Sequence, residues 1–299
     1  MDLDASIVCL NLRPPKALAT SSTVELPMDI GTRTDAGRVR LNNEDSLLVA
    51  PEMGLFVLSD GMGGLACGEV ASRLTVETLL AHCREADADP TLALTGKRVE
   101  GVNETSNRLA SGIQLANRIV YRAAQENGNR QGMGATVVAV RCANERLNIA
   151  HVGDSRAYRL RNACLERLTQ DHSFAAEQVR LGQINEDEAN IGGLRNILTR
   201  AVGVEQELEV DISEELMMDG DTILMCSDGL THEVSDKQIA NILRDAKNAQ
   251  EAATQLVDLA NHAGGGDNIT TIVIRQGARM QGALSRTGLL SRWFNMLGT

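Results

Sequence analysis

Four short segments of strand character follow in quick succession between residues 135 and 169: ATVVAV (135–140), RLNIAHVG (146–153), RAYRLR (156–161) and CLERLT (164–169). RNAC, between the last two, reads as a hairpin turn. The helical patterns lie elsewhere and come in pairs. GEVASRLTVETLLAHC (68–83) carries Val70, Leu74, Val76, Leu79 and Leu80 at helical spacing. NETSNRLASGIQLANRIVYRAAQEN (103–127) sets Leu109, Ile113, Ala116, Val120 and Ala123 on one face of a longer helix. DKQIANILRDA and EAATQLVDLANHA form a second pair, closed by a strand, NITTIVIR (268–275). Further strands are expected in SLLVAPEMGLFVLSD, two joined at PEMG, and in ELEVDI and TILMCS. Residues 84–101 read as a loop, and 172–192 as helix broken by Gly182 and Gly192, with Gly193 beyond. Strands grouped with strands and helices grouped in pairs favour layered sheets over a doubly wound parallel fold. The expectation is an α+β fold: two mainly antiparallel sheets packed together, with helices outside.

The length, 299 residues, suits one large domain or two ordinary ones. Aromatic residues make up only 2%, so the core must be aliphatic. Forty acidic against 29 basic residues give a net charge of −11, which argues against nucleic acid as the main partner and is compatible with cation binding. Six cysteines (Cys9, Cys67, Cys83, Cys142, Cys164 and Cys226) form no CxxC pair and read as buried thiols of a reducing cytosol. The start, MDLDASIVCLNLRPP, does not read as a signal peptide, and no run approaches the ~20 apolar residues of a membrane span. A cytoplasmic location is expected. Residues 1–27, with Pro14, Pro15 and Pro27, read as a loose extension.

Acids recur at comparable places: NNED (42–45), LSDG (58–61), HVGD (151–154), CSDG (226–229) and GGGDN (264–268). Asp60, Asp154 and Asp228 end apolar strands, and Asp267 immediately precedes one. Any one of them alone is ordinary turn chemistry, since Asp and Gly tolerate turn geometry. Together, if the strand ends converge, their carboxylates repel one another and need a positive partner. The set has oxygen ligands and no repeated His or Cys, which selects magnesium or manganese over zinc. Gly61 and Gly229 would let a backbone carbonyl approach an ion. Two such ions can activate a water and hold it in line with a leaving group, which suits phosphoryl hydrolysis.

GRVRLNNEDS, SDGMGG, GEVAS, GATVV, HVGDSR, LTQDHS, ILTRAVG, SDGLTHEVSD and GGGDNIT occur in this order. Over residues 28–276 the chain resembles the bacterial branch of the type 2C metal-dependent serine/threonine protein phosphatases. The resemblance implies a four-layer αββα fold, a central β-sandwich flanked by helix pairs with a metal cleft at one end. It implies that Asp60 bridges two metals, that the Gly61 carbonyl binds one of them, and that Asp228 and Asp267 complete the first site. Glu44 and Asp45 would hold the second metal and its waters. Asp154 would bind a weaker third ion. Arg40 would grip the substrate phosphate with its planar fork. Asp60, Asp228 and Arg40 are thus the expected catalytic residues, and Mn2+ or Mg2+, two ions with a third in question, the cofactor.

The chain departs from the family twice. Met62 stands where animal and plant members carry the His proposed as general acid, a Met that bacterial relatives often share. His172 in the flap is then the nearest donor by sequence. His232 stands where the family often has an Asp that helps hold the third metal. Residues 172–195 match the variable flap over the cleft. The implied partners are phosphorylated proteins, with a bacterial serine/threonine kinase opposed. The alternatives are a catalytically silent module on this fold and a phosphatase acting on a sigma-factor regulator. The tail, 277–299, carries Met280, Leu284, Leu290, Trp293, Phe294 and Leu297 on a potential helical face, with Arg286 and Arg292 elsewhere. It reads either as a packed or frayed terminal helix or as a dock for a partner or membrane surface.

Overall fold

The computed structural model describes residues 28–63, 67–126, 132–185, 188 and 194–277. The expected N-terminal extension lies outside these residues, as does the expected tail beyond residue 277. In chain order the strands are β1 (Met28–Asp35), β2 (Ser46–Ala50), β3 (Leu55–Ser59), β4 (Gly61–Met62), β5 (Gly134–Ala135), β6 (Val137–Ala143), β7 (Arg146–Val152), β8 (Arg156–Arg161), β9 (Cys164–Arg167), β10 (Asp211–Leu216), β11 (Thr222–Cys226) and β12 (Ile269–Gln276). The helices are α1 (Cys67–Ala88), α2 (Glu104–Glu126), α3 (Phe174–Arg180), α4 (Asp228–Thr231), α5 (Asp236–Asp245) and α6 (Ala249–Ala263).

One sheet runs β1-β12-β11-β8-β9 and the other β10-β7-β6-β3-β2. Every neighbouring pair is antiparallel. Side chains alternate across each strand, and here both faces are covered. On β3, Phe56 and Leu58 join Val138, Ile149, Ile223 and Ile272 between the sheets. Its Leu55 and Val57 face the other way, onto Leu79 of α1 and Leu109 and Ile113 of α2. This is why β3 reads as an unbroken apolar run. The outer face of the first sheet packs Tyr158, Leu224 and Val273 against Ile239, Leu243, Leu256 and Val257 of α5 and α6. The layers are helix, sheet, sheet, helix, and the core is aliphatic as expected, with Tyr158 and Phe56 its largest buried side chains.

The RNAC turn forms as read: Asn162 (φ 51°) and Ala163 (φ 60°) are both left-handed, the two-residue geometry that matches strand twist. Other expectations shift. Helix α1 runs on to Ala88, into the segment read as loop. Cys164 is exposed, unlike buried Cys67, Cys83 and Cys226. The strand expected at ELEVDI starts only at Asp211. Its partner β7 pairs His151 with Asp211, and the chain then turns at Gly153 (φ 101°), so residues 207–210 have no ladder to join. Side chains of α2 take carbonyls in and just before this stretch instead: Gln114 Nε2 donates to Leu208 O (3.5 Å) and Asn117 Nδ2 to Glu205 O (3.0 Å).

Register fixes where the acids go. In one sheet Leu58 pairs with Val138 and Val137 with Val152, so the end of β3 and the end of β7 lie together. In the other, Cys226 faces both Arg156 and Thr271, so the end of β11 lies beside the starts of β8 and β12. The short link 153–155 joins β7 to β8 and brings these two ends to one end of the sandwich.

Candidate metal centre

At that end each acid is held by the backbone around it. Asp60 follows β3 and is clamped twice by Thr136: Asp60 N donates to Thr136 Oγ1 (3.0 Å) and Thr136 N to Asp60 O (2.8 Å). The next residue, Gly61, has no room for a side chain. A Cβ there would collide with the backbone carbonyl of Gly68 in α1 and lie 2.7 Å from Glu44 O. Gly61 is therefore required by helix packing as well as by any carbonyl role.

Asn268 organises the loop that carries Arg40, Glu44 and Asp45. Its Nδ2 donates to Ala36 O (3.0 Å) and Asn42 O (2.9 Å), and its Oδ1 accepts from Glu44 N (2.8 Å). Ser227 reaches the same loop, donating to Asp45 Oδ2 (2.9 Å) while accepting from Thr270 N (2.9 Å). Sequence reading passed over Asn268, Ser227 and Thr136. The signal for the first two was adjacency, since each sits beside an expected ligand.

The electrostatics show that the carboxylates face one another. Burial pushes Asp60 well above the usual carboxylate range, and Asp45, Asp228, Asp154 and Asp267 push it further. Burial likewise raises Asp45 to about 7, against the hydroxyls of Thr270 and Ser227, with Asp228 and Asp267 adding to the rise. Asp154 is raised by burial and Asp228, and Asp228 by burial and Asp267. Glu44, less buried, is raised by burial and by Glu69 and Asp267, with Arg40 opposing. Arg40 is the guanidinium beside them: its Nη2 is 2.7 Å from Asp267 Oδ2. Burial works against its charge, but Asp267, then Asp60 and Asp228, outweigh it.

The residues fit a hard divalent cation. Asp45 Oδ1 and Asp228 Oδ1 are buried oxygens with no hydrogen-bond partner, which is costly unless something positive meets them. The donors are oxygens, with one imidazole nearby, suiting magnesium or manganese. That imidazole is His232, with Nδ1 3.6 Å from Asp228 Oδ2. Burial lowers its pKa, Asp228 opposes, and the positive charges of Arg195 and Arg156 lower it again.

All eight expected site residues, Arg40, Glu44, Asp45, Asp60, Gly61, Asp154, Asp228 and Asp267, gather at this end of the sandwich. His172 is different. It is 3% exposed, with Nδ1 accepting from Gly153 N (3.1 Å) and Nε2 lying 3.2 Å from Asp211 Oδ2. It is committed to those contacts and does not supply the donor that Met62 lacks.

The sequence model of the family described as Protein phosphatase 2C matches residues 34–263. The serine/threonine phosphatase stp of Listeria welshimeri is 37% identical over 253 residues, 84% of this chain and 96% of that protein. The crystal structure of the Mycobacterium tuberculosis serine/threonine phosphatase PstP/Ppp superposes with a TM-score of 0.73 at 33% identity, covering 84% of this chain and 99% of that one. A structure of the PstP catalytic domain in complex with two manganese ions matches with a TM-score of 0.71, also at 33% identity, covering 84% and 99%.

Proposed function

This chain belongs to the protein phosphatase 2C family, and we propose the following reading of its site. The chain is a metal-dependent serine/threonine phosphatase that hydrolyses phosphoserine and phosphothreonine on proteins. The observation that carries this reading is the convergence of buried, mutually repelling carboxylates beside one arginine at the open end of the sandwich. Asp60, Asp228 and Asp267 would hold one ion, Asp60, Glu44 and Asp45 would serve a second, and the Gly61 carbonyl would bind one of the two. Asp154 would hold a third, with His232 beside it. Manganese or magnesium, when bound, neutralises these charges and lowers the pKa of water at the site.

The protein's own residues do the rest. Thr136 fixes the backbone of Asp60 through both its N–H and its carbonyl, and Ser227 donates to the Asp45 carboxylate, so both acids are positioned before an ion arrives. Arg40 is more than half exposed, so its fork can meet a phosphate at the mouth of the cleft. Met62 lines a cavity of about 980 Å³ together with Val204, Leu198 and Thr199, none of the clustered acids among its walls, and brings no proton donor. A copy freed from catalysis would have no use for such a set of buried acids, which leaves the silent-module reading without support.

The finer parts of the reading are a phosphatase domain over 28–276, opposition to a bacterial serine/threonine kinase, and a role in cytoplasmic signalling. For the tail 277–299 the two readings are a packed or frayed terminal helix and a dock for a partner or membrane surface, which deletion of the tail would separate. No described helix is long and apolar enough to cross a membrane. Purified protein should hydrolyse p-nitrophenyl phosphate and phosphothreonine peptides when manganese is supplied. Tight manganese uptake with no hydrolysis of either would defeat the reading. Hydrolysis confined to a phosphorylated sigma-factor regulator would replace its substrate.

A further inference from the structure

The segment 173–199 leaves and rejoins the sandwich at one place. Ser173 bridges to Leu198, Phe174 N donates to Ile197 O (2.8 Å) and Thr199 N to His172 O (2.9 Å). A single carboxylate sits across both ends. Asp211, the first residue of β10, has Oδ2 3.2 Å from His172 Nε2, off the line of an ideal hydrogen bond, and Oδ1 2.6 Å from Arg200 Nη1. His172 is bound in turn to the residue before Asp154: His172 N donates to Gly153 O (2.9 Å), and Gly153 N donates back to His172 Nδ1 (3.1 Å). Gly153 is left-handed, and a Cβ there would strike Thr136. The position of Asp154 therefore depends on how this loop is held.

His151, His172 and Asp211 bring ligand atoms within 4.8 Å of one another, and that set would suit zinc. The tautomer argues against it. His172 Nδ1 accepts a backbone proton, so Nε2 carries the ring's own proton, 3.2 Å from Asp211 Oδ2 and off the line of an ideal hydrogen bond. His151 stacks on His172, with centroids 4.7 Å apart, and its Nε2 meets Gln170 O (2.8 Å). The cluster is a clamp. His172 and Arg200 together hold the Asp211 carboxylate far below the usual range, as two donors on one acceptor should.

We propose that Asp211 is a positioning residue, tying both ends of the flap 173–199 to β10 and, through His172 and Gly153, fixing Asp154. The inference rests on the reading of Asp154 as ligand of a further ion. Asp154 would then be held in place only while the flap is anchored, so flap order and uptake of the weakest ion rise and fall together. A group bonded directly to a metal ligand is worth about 10- to 100-fold in metal affinity; Asp211, which acts through His172 and Gly153, should lie at the low end of that range.

The test uses the full chain, with hydrogen–deuterium exchange and calorimetric Mn2+ titration, both without substrate. Asp211→Ala should speed exchange across 173–199 and weaken the weakest Mn2+ site about tenfold, leaving the tighter sites unchanged. Arg200→Ala, at a partly exposed position, frees one end of the flap and should shift both readouts in the same direction by less. It keeps the test open if Asp211→Ala does not fold. Wild-type values for either readout in the folded variants would overturn the proposal. So would a lower melting temperature as the only change, or a wild type that takes up only two ions. An inactive wild type defeats the phosphatase reading and leaves these measurements standing. An active one with unmoved readouts defeats this inference alone.

Discussion

Ser59-Asp60-Gly61 and Ser227-Asp228-Gly229 are the same tripeptide at the end of the same kind of buried strand, yet the chain leaves them differently. After Asp60 it stays extended as β4 and pairs with β5, because Thr136 takes both the N–H and the carbonyl of Asp60. After Ser227 it coils into α4: His232 N finds Asp228 O (2.8 Å) and Leu230 N finds Ser227 O (3.3 Å). The glycines meet different walls, Gly61 the N-terminal turn of α1 and Gly229 the carbonyl of Asn268. Neighbours therefore decide the backbone, and the tripeptide supplies only what both contexts need: a small buried hydroxyl, a carboxylate and the absence of a Cβ. The first end is pinned within its own sheet. The second ties together the loop of Asp45, the start of β12 and His232.

The largest test of this difference replaces each acid. Asp60→Asn and Asp228→Asn should each lower kcat/KM by more than the ~100-fold that loss of a hydrogen-bond partner behind a metal ligand can cost. They should differ in metal uptake. Asp60 faces Asp45, Asp154, Asp228 and Asp267, so its loss should weaken two ions, whereas the loss of Asp228 should weaken mainly one. Equal Mn2+ stoichiometry in the two variants, measured by calorimetry, would erase the distinction. Near-normal turnover of Asp228→Asn at low Mn2+ would sink the two-ion reading itself.

Arg40 sharpens the comparison, since it contacts Asp267 beside the second end and senses both acids. A charge-assisted contact to phosphate is worth about 1.5–3 kcal/mol, so Arg40→Ala should cost roughly 10- to 150-fold in kcat/KM, with partial rescue by Lys. Unchanged kinetics would make Arg40 a structural partner of Asp267.

How much of this was legible in the sequence depends on the range of the interaction. The hairpin at Asn162 and Ala163 and the amphipathic helix α2 are local and were read correctly. The start of β10 was misplaced because the alternation in ELEV satisfies a strand pattern, while the deciding facts are the turn at Gly153 and the amides of Asn117 and Gln114. The acids were visible as strand ends. Their meeting was not, because it rests on register in two sheets and on the link 153–155. Family resemblance supplied it. Asp211 escaped notice for the same reason: its partners His172 and Arg200 lie far off in sequence and resemble ordinary flap residues.

A pH titration of the metal-free chain probes the second end, where Ser227 holds Asp45. Burial raises Asp45 to about 7 in the folded protein. The folded state then binds the proton more tightly than the unfolded chain, so this group's contribution is full at low pH and is lost as pH rises from about 4 to about 7. Asp60, Asp154, Asp228 and Glu44 are raised too and act with the same sign. His151 opposes them: burial lowers it to about 4, so its contribution grows as pH rises from there towards 6.5. Asp45→Asn should therefore flatten the fall in melting temperature expected between pH 4 and 7 without metal. Saturating Mn2+ should reverse the fall in wild type by binding only the folded state. Equal slopes for wild type and Asp45→Asn would show that Asp45 is not held protonated.

The smallest expected difference separates the two serines. Both hydroxyls are fully buried, so removing either leaves polar groups unsatisfied. Ser59→Ala strips one donor from Thr136 O, a bond of 2.6 Å between neutral groups. That loss should cost about 1 kcal/mol, or roughly 2–4 °C in melting temperature for a chain of this size. Ser227→Ala strips a donor from the Asp45 carboxylate and an acceptor from Thr270 N at once. It should cost about 1–3 kcal/mol, and more above pH 7, where Asp45 is ionised, than below pH 5. The pH dependence is the informative part, because a neutral bond has none. Thermal melts of the two variants at both pH values without metal would decide it. If Ser59→Ala shows the same pH dependence as Ser227→Ala, the carboxylate is not what distinguishes the two ends. The extra cost at Ser227 would then belong to Thr270 N–H alone.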